Sequence, residues 1–321
     1  MVKKSSKSTL RLSKRLYRCT NIFKAILPIF FAAIFVLLVY SAEAGELQSL
    51  QTAKVEVFFD ASLEPAAKKI LHLYPIVRED IESLFAWKLH SKPSVLLIKT
   101  RKDFLKMVGD SLVVAFAVPQ KNLIVIDNSK MIKHPFSLAT TLKHELAHLL
   151  LHQYIRADIF PRWLDEGLCQ WASDGIGEVI RDPRSSLLNR AAYSGKLIRL
   201  RELQQNFPSD KKSRLLAYEE SKSFVTYLAA RFGREIVFKV LQHMGNGLSA
   251  EAAIQKASLI PFETLEKEWQ HSLRKKSTWF ALLSYYLYEI LFALMALITI
   301  YAFIRRCIKK KHYWDDEPEN D

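Results

Sequence analysis

The chain has 321 residues, and its 47 Lys and Arg against 33 Asp and Glu give a net charge of +14. Half of it is hydrophobic and a quarter charged, a globular balance that excludes wholesale disorder and collagen-like repeats. Nine glycines, eleven prolines and no self-similar period exclude a solenoid or propeller, and three cysteines (Cys19, Cys169 and Cys307) are too few for a disulfide scaffold.

The excess charge is local. Lys3, Lys4, Lys7, Arg11, Lys14, Arg15, Arg18 and Lys24 precede the first acid, so residues 1–44 hold half of the net charge. The remainder has no basic run interleaved with aromatics, which argues against a nucleic-acid partner. Ala25 to Tyr40 is apolar and is followed by Ala42-Glu43-Ala44-Gly45, an A-x-A pattern. A basic stretch, an apolar core and small residues in that order read as an export signal or, if uncleaved, as a membrane anchor.

Residues 45–160 read as a sheet-bearing subdomain. Val55–Asp60 alternates like a strand. Glu64–Trp87 has helical spacing at Ile70, Leu71, Tyr74, Val77, Ile81, Leu84 and Phe85. Pro65 suits its first turn, and Pro75 is expected to kink or split it. A buried strand (Ser94–Lys99), a short helix (Lys102–Val108) and two apolar runs (Leu112–Val118, Leu123–Asp127) follow, the runs joined by Pro119-Gln120-Lys121-Asn122 as a hairpin. Ser137–Tyr154 is a long amphipathic helix.

That helix carries His144-Glu145-Leu146-Ala147-His148. Two His at i and i+4 stack on one helix face and can hold one metal ion. Glu145 points beside that ion, where it can take a proton from water. His152 lies about 12 Å from His144 by helical rise alone, too far to share the ion. Leu151 and Tyr154 occupy the positions where a metzincin needs Gly and His. The third ligand is expected from Glu166, eighteen residues past His148, on a helix that starts at Pro161. Two His and one Glu with an open fourth position make a catalytic rather than a structural zinc site. Gly167 allows close helix–helix approach, and Cys169, which as a ligand would close the open position, reads as a small packing residue.

Residues 161–276 read as a helical subdomain: Trp163–Ser173, Ile198–Gln205, Arg214–Phe232, Arg234–Met244, Ala250–Lys256 and Pro261–Lys275. Trp279 to Ile304 is then apolar for 26 residues, about 39 Å of helix and enough to cross a bilayer. Residues 277–304 are therefore expected to be a transmembrane helix, and 305–321 a tail. Arg305, Arg306, Lys309, Lys310 and Lys311 put that tail in the cytoplasm and residues 45–276 outside it. Glu289 falls inside the span, either packed as a neutral acid against Tyr285 and Tyr286 or contacting a membrane-protein partner.

The stretches KHELAHLLL (143–151), PRWLDEGLCQWAS (161–173) and AYEESKSFVTYLAARFG (217–233) resemble the gluzincin metallopeptidases of the peptidase MA-like group. The resemblance implies an α+β, zincin-like fold with a cleft between a sheet-bearing half and a helical half. It implies one Zn2+ ion held by His144, His148 and Glu166, with Glu145 as general base. Tyr218, in an A-Y-x-x-S pattern, either aims its phenol at the scissile carbonyl or packs in the core. The strand Leu112–Val118 is either the sheet edge that pairs with an extended peptide, with Ala115 and Ala117 small enough to admit it, or an ordinary buried hairpin. Thermolysin-like relatives place an Asp four residues after the ligand Glu to orient a ligand His; Gln170 stands there, leaving the orienting group unassigned. The expected function is a membrane-anchored zinc metallopeptidase of a bacterial inner membrane, acting on peptide or protein outside the cytoplasm. The alternative is an inactive module of the same fold that binds a protein partner.

Overall fold

Five short strands build one mixed sheet: β1 (Gln48–Gln51), β2 (Glu56–Phe59), β3 (Ser94–Ile98), β4 (Ala115–Val118) and β5 (Leu123–Asp127). The computed structural model describes residues 47–131, 136–173 and 187–315, without the side chains of 276–288 and 307–315. The expected export signal or anchor lies outside the described residues. Strand order is β1-β2-β3-β5-β4. β2, β3 and β5 run parallel, and β1 and β4 close the two edges antiparallel.

Alternation along the strands sends side chains to two faces. Val57, Phe59, Val95, Leu97, Ile124 and Ile126 face the main core, which α1 (Glu64–Phe85) and α3 (Leu138–Tyr154) cover. Ile98 and Val125 face the other way, onto Phe104 of α2 (Arg101–Val108). Asn122, left-handed at φ 50°, closes the turn before β5, and its carbonyl accepts Ser94 N–H at 2.9 Å. β4 is thus an edge strand, as one of the two readings requires.

α1 is unbroken despite Pro75, so the expected split does not occur. Pro75 lies on the exposed face of the helix, where water can satisfy the carbonyl it orphans. Ile70, Tyr74, Val77 and Ile81 are buried along the opposite face and hold the helix through that defect.

The second half is helical: α4 (Arg162–Ala172), α5 (Leu187–Ser194), α6 (Lys211–Phe232), α7 (Glu235–Gly245), α8 (Ala250–Ser258) and α9 (Phe262–Asp315). The helix expected over Ile198–Gln205 tightens to a 3-10 turn at Leu200–Leu203. Trp163 of α4 packs against Phe224 and Phe262 with ring centroids 5.5 and 5.9 Å away, and Trp269 meets Phe224 at 5.5 Å. The Trp269 indole N–H donates to Ser223 Oγ at 3.0 Å. This aromatic cluster locks α4, α6 and the base of α9 together.

α9 runs without a break from that cluster to Asp315. Among the described residues no helix is long and apolar enough to cross a membrane. The segment expected to span a membrane, 277–304, is described only in part, because the side chains of 276–288 lie outside the described residues. Glu289 is exposed on α9, and the Tyr285 and Tyr286 side chains expected beside it are not described.

Candidate metal centre

α3 is buried on nearly every side, from His144 to Leu151 without interruption. It lies between the sheet and α4, so polar side chains in its middle must face a partner or a site. Ser137 caps it, accepting Thr140 N–H at 3.4 Å. The chain returns through Arg156–Phe160 to Pro161, whose carbonyl accepts Leu164 and Asp165 N–H at 3.0 and 3.1 Å. α4 then runs back across α3.

Gly167 sets how close α4 comes to α6. A Cβ there would stand 2.6 Å from the Ser221 carbonyl oxygen and 2.9 Å from its carbon, closer than any real contact. Absence of a side chain at 167 lets the two helix backbones touch, as the sequence suggested.

The return brings Glu166 to the histidines. His144 Nε2 and His148 Nε2 are 3.2 Å apart, and each lies 3.7 Å from Glu166 Oε2. That triangle leaves a point about 2.1 Å from all three atoms, the bond length of zinc to imidazole nitrogen and carboxylate oxygen. Glu166 Oε2 is buried and accepts no hydrogen bond, a cost that a cation would remove. The three residues form a group able to hold a metal, and the donor set fits zinc.

Asp165 supplies what Gln170 could not. Its Oδ1 lies 2.8 Å from His148 Nδ1, and its Oδ2 lies 2.8 Å from His152 Nε2. Burial works against charge on either partner, yet the attraction between them prevails. It lowers the Asp165 carboxyl and raises His148 well above the usual imidazole range. An ionised Asp165 fixes the proton of His148 on Nδ1 and turns Nε2 toward His144 and Glu166. Sequence reading missed this residue, although it directly precedes Glu166. The signal was His152, one turn beyond His148 on the same face, a second imidazole for one carboxylate to bridge.

Cys169 stands 3.8 Å from Asp165 Oδ1. With His148 and Asp165 it forms a second possible donor group, but burial pushes its thiol well above the ordinary range, so it carries its proton and packs.

A cleft of about 1140 Å³ opens over this centre. His148, Asp165, Glu166 and Tyr218 line it, with Phe116 and Ala117 of β4 opposite. His144 and Glu145 sit behind that wall, fully buried. Tyr218 meets Phe207 edge-on at 4.9 Å, and the Arg162 guanidinium lies over the other ring at 4.9 Å from Phe207. Ala117 reaches the cleft; Ala115 does not. It is 0 % exposed, in the core that β4 shares with α3.

No curated protein matches the chain. Among solved structures, a crystal structure of a mutant M1 zinc metallopeptidase from Deinococcus radiodurans is similar, with a TM-score of 0.40 and 14% identity over 69% of this chain and 50% of that one. The chain thus spans about half the length of that structure. Residues 110–275, more than half of the sequence, match the profile of the Peptidase MA superfamily. They contain α3, α4 and the edge strand β4, and on that match the chain belongs to the Peptidase MA superfamily.

Proposed function

We propose that the protein is a membrane-anchored zinc metallopeptidase that hydrolyses peptide bonds outside the cytoplasm. The convergence of His144, His148 and Glu166 on one point beneath the cleft carries this reading. Bound there, zinc would supply Lewis acidity that eases deprotonation of water and polarises a carbonyl oxygen. Glu145, adjacent to His144 and shielded from bulk water, takes the proton from the attacking water on its carboxylate and returns it to the leaving nitrogen. Asp165 keeps the His148 proton on Nδ1 throughout. The Tyr218 phenol donates to the carbonyl oxygen as it gains charge. An extended substrate pairs with the free edge of β4, where Ala117 leaves room for its side chains.

The anchor is α9. Ile290, Leu291, Phe292, Leu294, Met295, Leu297, Ile298, Ile300, Tyr301, Phe303 and Ile304 are all exposed along it. So much contiguous apolar surface is costly in water, and Arg305 and Arg306 directly after it favour a cytoplasmic end. A bacterial inner membrane with residues 45–276 on the outer side suits this arrangement.

Glu145→Gln tests the chemistry. Zinc content of the purified chain should stay at that of wild type, and peptide hydrolysis should fall on the order of a thousandfold. Glu166→Ala should instead lose the metal. Hydrolysis undiminished in Glu145→Gln removes Glu145 from the mechanism. Absence of turnover in zinc-loaded wild type on any peptide favours the inactive, partner-binding module.

A further inference from the structure

A second cavity, about 530 Å³, opens between α5 and the first turns of α6, a size typical of small-molecule sites. Its wall is of two kinds. Arg190, Lys196 and Lys212 supply three cations, and Leu187, Tyr193 and Leu216 supply apolar surface. All three cations are exposed, and among the described residues none forms an ion pair. The acids on either side are engaged elsewhere: Asp210 caps α6 by accepting Ser213 N–H at 2.9 Å, and Glu219 accepts Leu188 N–H at 2.9 Å. Three like charges around one hollow repel one another, and an anion in that hollow would relieve the repulsion.

The cavity's position narrows the anion. α5 packs along α9. Gly195, just past α5 and next to Lys196, lies so near α9 that a Cβ there would stand 3.9 Å from Arg274 Nη2. Arg274 and Lys275 are exposed on α9, about one helical turn before the apolar run that starts at Trp279. The basic rim therefore continues onto the foot of the apolar helix. Tyr193, 70 % exposed, is an aromatic of the kind that settles at headgroup level.

We propose that this cavity binds the phosphate of an anionic phospholipid headgroup and seats the folded body on the bilayer that holds α9. Arg190, Lys196 and Lys212 surround the phosphate, and Leu187, Leu216 and the Tyr193 ring take the glycerol and first acyl carbons. A soluble phosphate would use the cations and leave the apolar half of the wall idle. The inference rests on the membrane-anchored reading of α9 and is independent of the metal centre.

The test uses the full chain in neutral detergent micelles, with binding of fluorescently labelled phosphatidylglycerol followed by anisotropy. Unlabelled phosphatidylglycerol should displace the probe, whereas phosphatidylcholine and inorganic phosphate at the same concentrations should not. Replacing all three cations by Gln should weaken binding about a hundredfold at low salt. Arg190→Lys alone, which keeps the charge, should bind as wild type does. The replaced side chains are exposed, and circular dichroism of the triple variant checks its fold. Equal binding by wild type and triple variant, or displacement by inorganic phosphate as effective as by lipid, overturns the proposal. The anchor is read separately, by flotation of the chain with vesicles of phosphatidylcholine alone. A chain that floats but shows no preference for phosphatidylglycerol keeps the anchor and sinks the lipid site. A chain that does not float loses the anchor, and with it the lipid as occupant.

Discussion

The sheet with its covering helix α1 and the junction of α3, α4 and α6 treat buried carboxylates in opposite ways. In the sheet-bearing scaffold, Glu82 and Asp127 have their oxygens engaged. Glu82 accepts Arg78 Nε at 2.7 Å, Lys88 Nζ at 3.0 Å and Leu89 N–H at 3.0 Å. Asp127 accepts Arg101 at 2.9 Å and the Ser129 hydroxyl at 2.6 Å. In the junction, Glu166 and Glu220 each keep an Oε2 that accepts no hydrogen bond. One region uses its acids as staples, and the other holds them in states that cost free energy. Such held, under-satisfied groups mark where a protein does chemistry or binds ions rather than where it gains stability.

The largest effect expected from breaking this contrast is at Gly167. Gly167→Ala places a methyl against the Ser221 backbone, which cannot turn aside as a side chain could. It should destabilise the fold by more than about 3 kcal/mol, measured by chemical denaturation. A loss under about 1 kcal/mol would mean that α4 and α6 can part without cost. Next comes Glu82→Gln on the scaffold side. Burial works against charge on Glu82, but Leu89 N–H, Lys88 and Arg78 override it and hold the carboxyl at about 2. Its contribution is then complete above the unfolded carboxyl value and is lost as pH falls toward 2. The variant should lose on the order of 3 kcal/mol at neutral pH, and its curve should converge with that of wild type in acid.

Asp165→Asn sharpens the contrast from the junction side. It should lower zinc affinity roughly 10- to 100-fold while leaving the fold intact, read by competition with a chelator. An unchanged affinity would show that His148 holds its orientation without Asp165.

Much of this was legible in the sequence, for identifiable reasons. Leu123–Asp127 is found with the bounds read from its apolar run, and Ser137 caps α3 where the reading began that helix. The approach at Gly167 was readable because only glycine meets the need. β1 and α5 escaped notice because each is short and buries little; QSLQ exposes three of its four residues and carries no alternation, and α5, eight residues long, buries only Ala191 and Ala192. The reading of Ala115 went astray because strand alternation tells which face it shares with Ala117 but not how deeply each is buried there. Asp165 escaped because the expected partner was sought at the position relatives use. A carboxylate one residue from a ligand reaches around to the same imidazole when His152 draws it there, and no spacing rule encodes that.

Glu220 is the subtler test of the same contrast. It is fully buried on α6, and among the described residues only Ile198 N–H donates to it, at 3.0 Å. Burial raises its carboxyl to about 8, and Glu266, Glu202 and Glu219 add to that against the pull of Ile198 N–H. Folded protein therefore keeps a proton that unfolded chain releases above about 4.5. Over that interval the folded state binds more protons than the unfolded one, so stability falls as pH rises from about 4.5 to about 8. Glu220→Gln cannot ionise and should flatten this slope. The variant should match wild type near the lower end, where a neutral carboxyl and an amide meet the same surroundings, and then pull ahead by roughly 1.4 kcal/mol for each pH unit up to the upper end. Parallel stability curves across that interval would show that Glu220 is ionised in the fold, and the junction would then hold a charge where the contrast with Glu82 requires a proton.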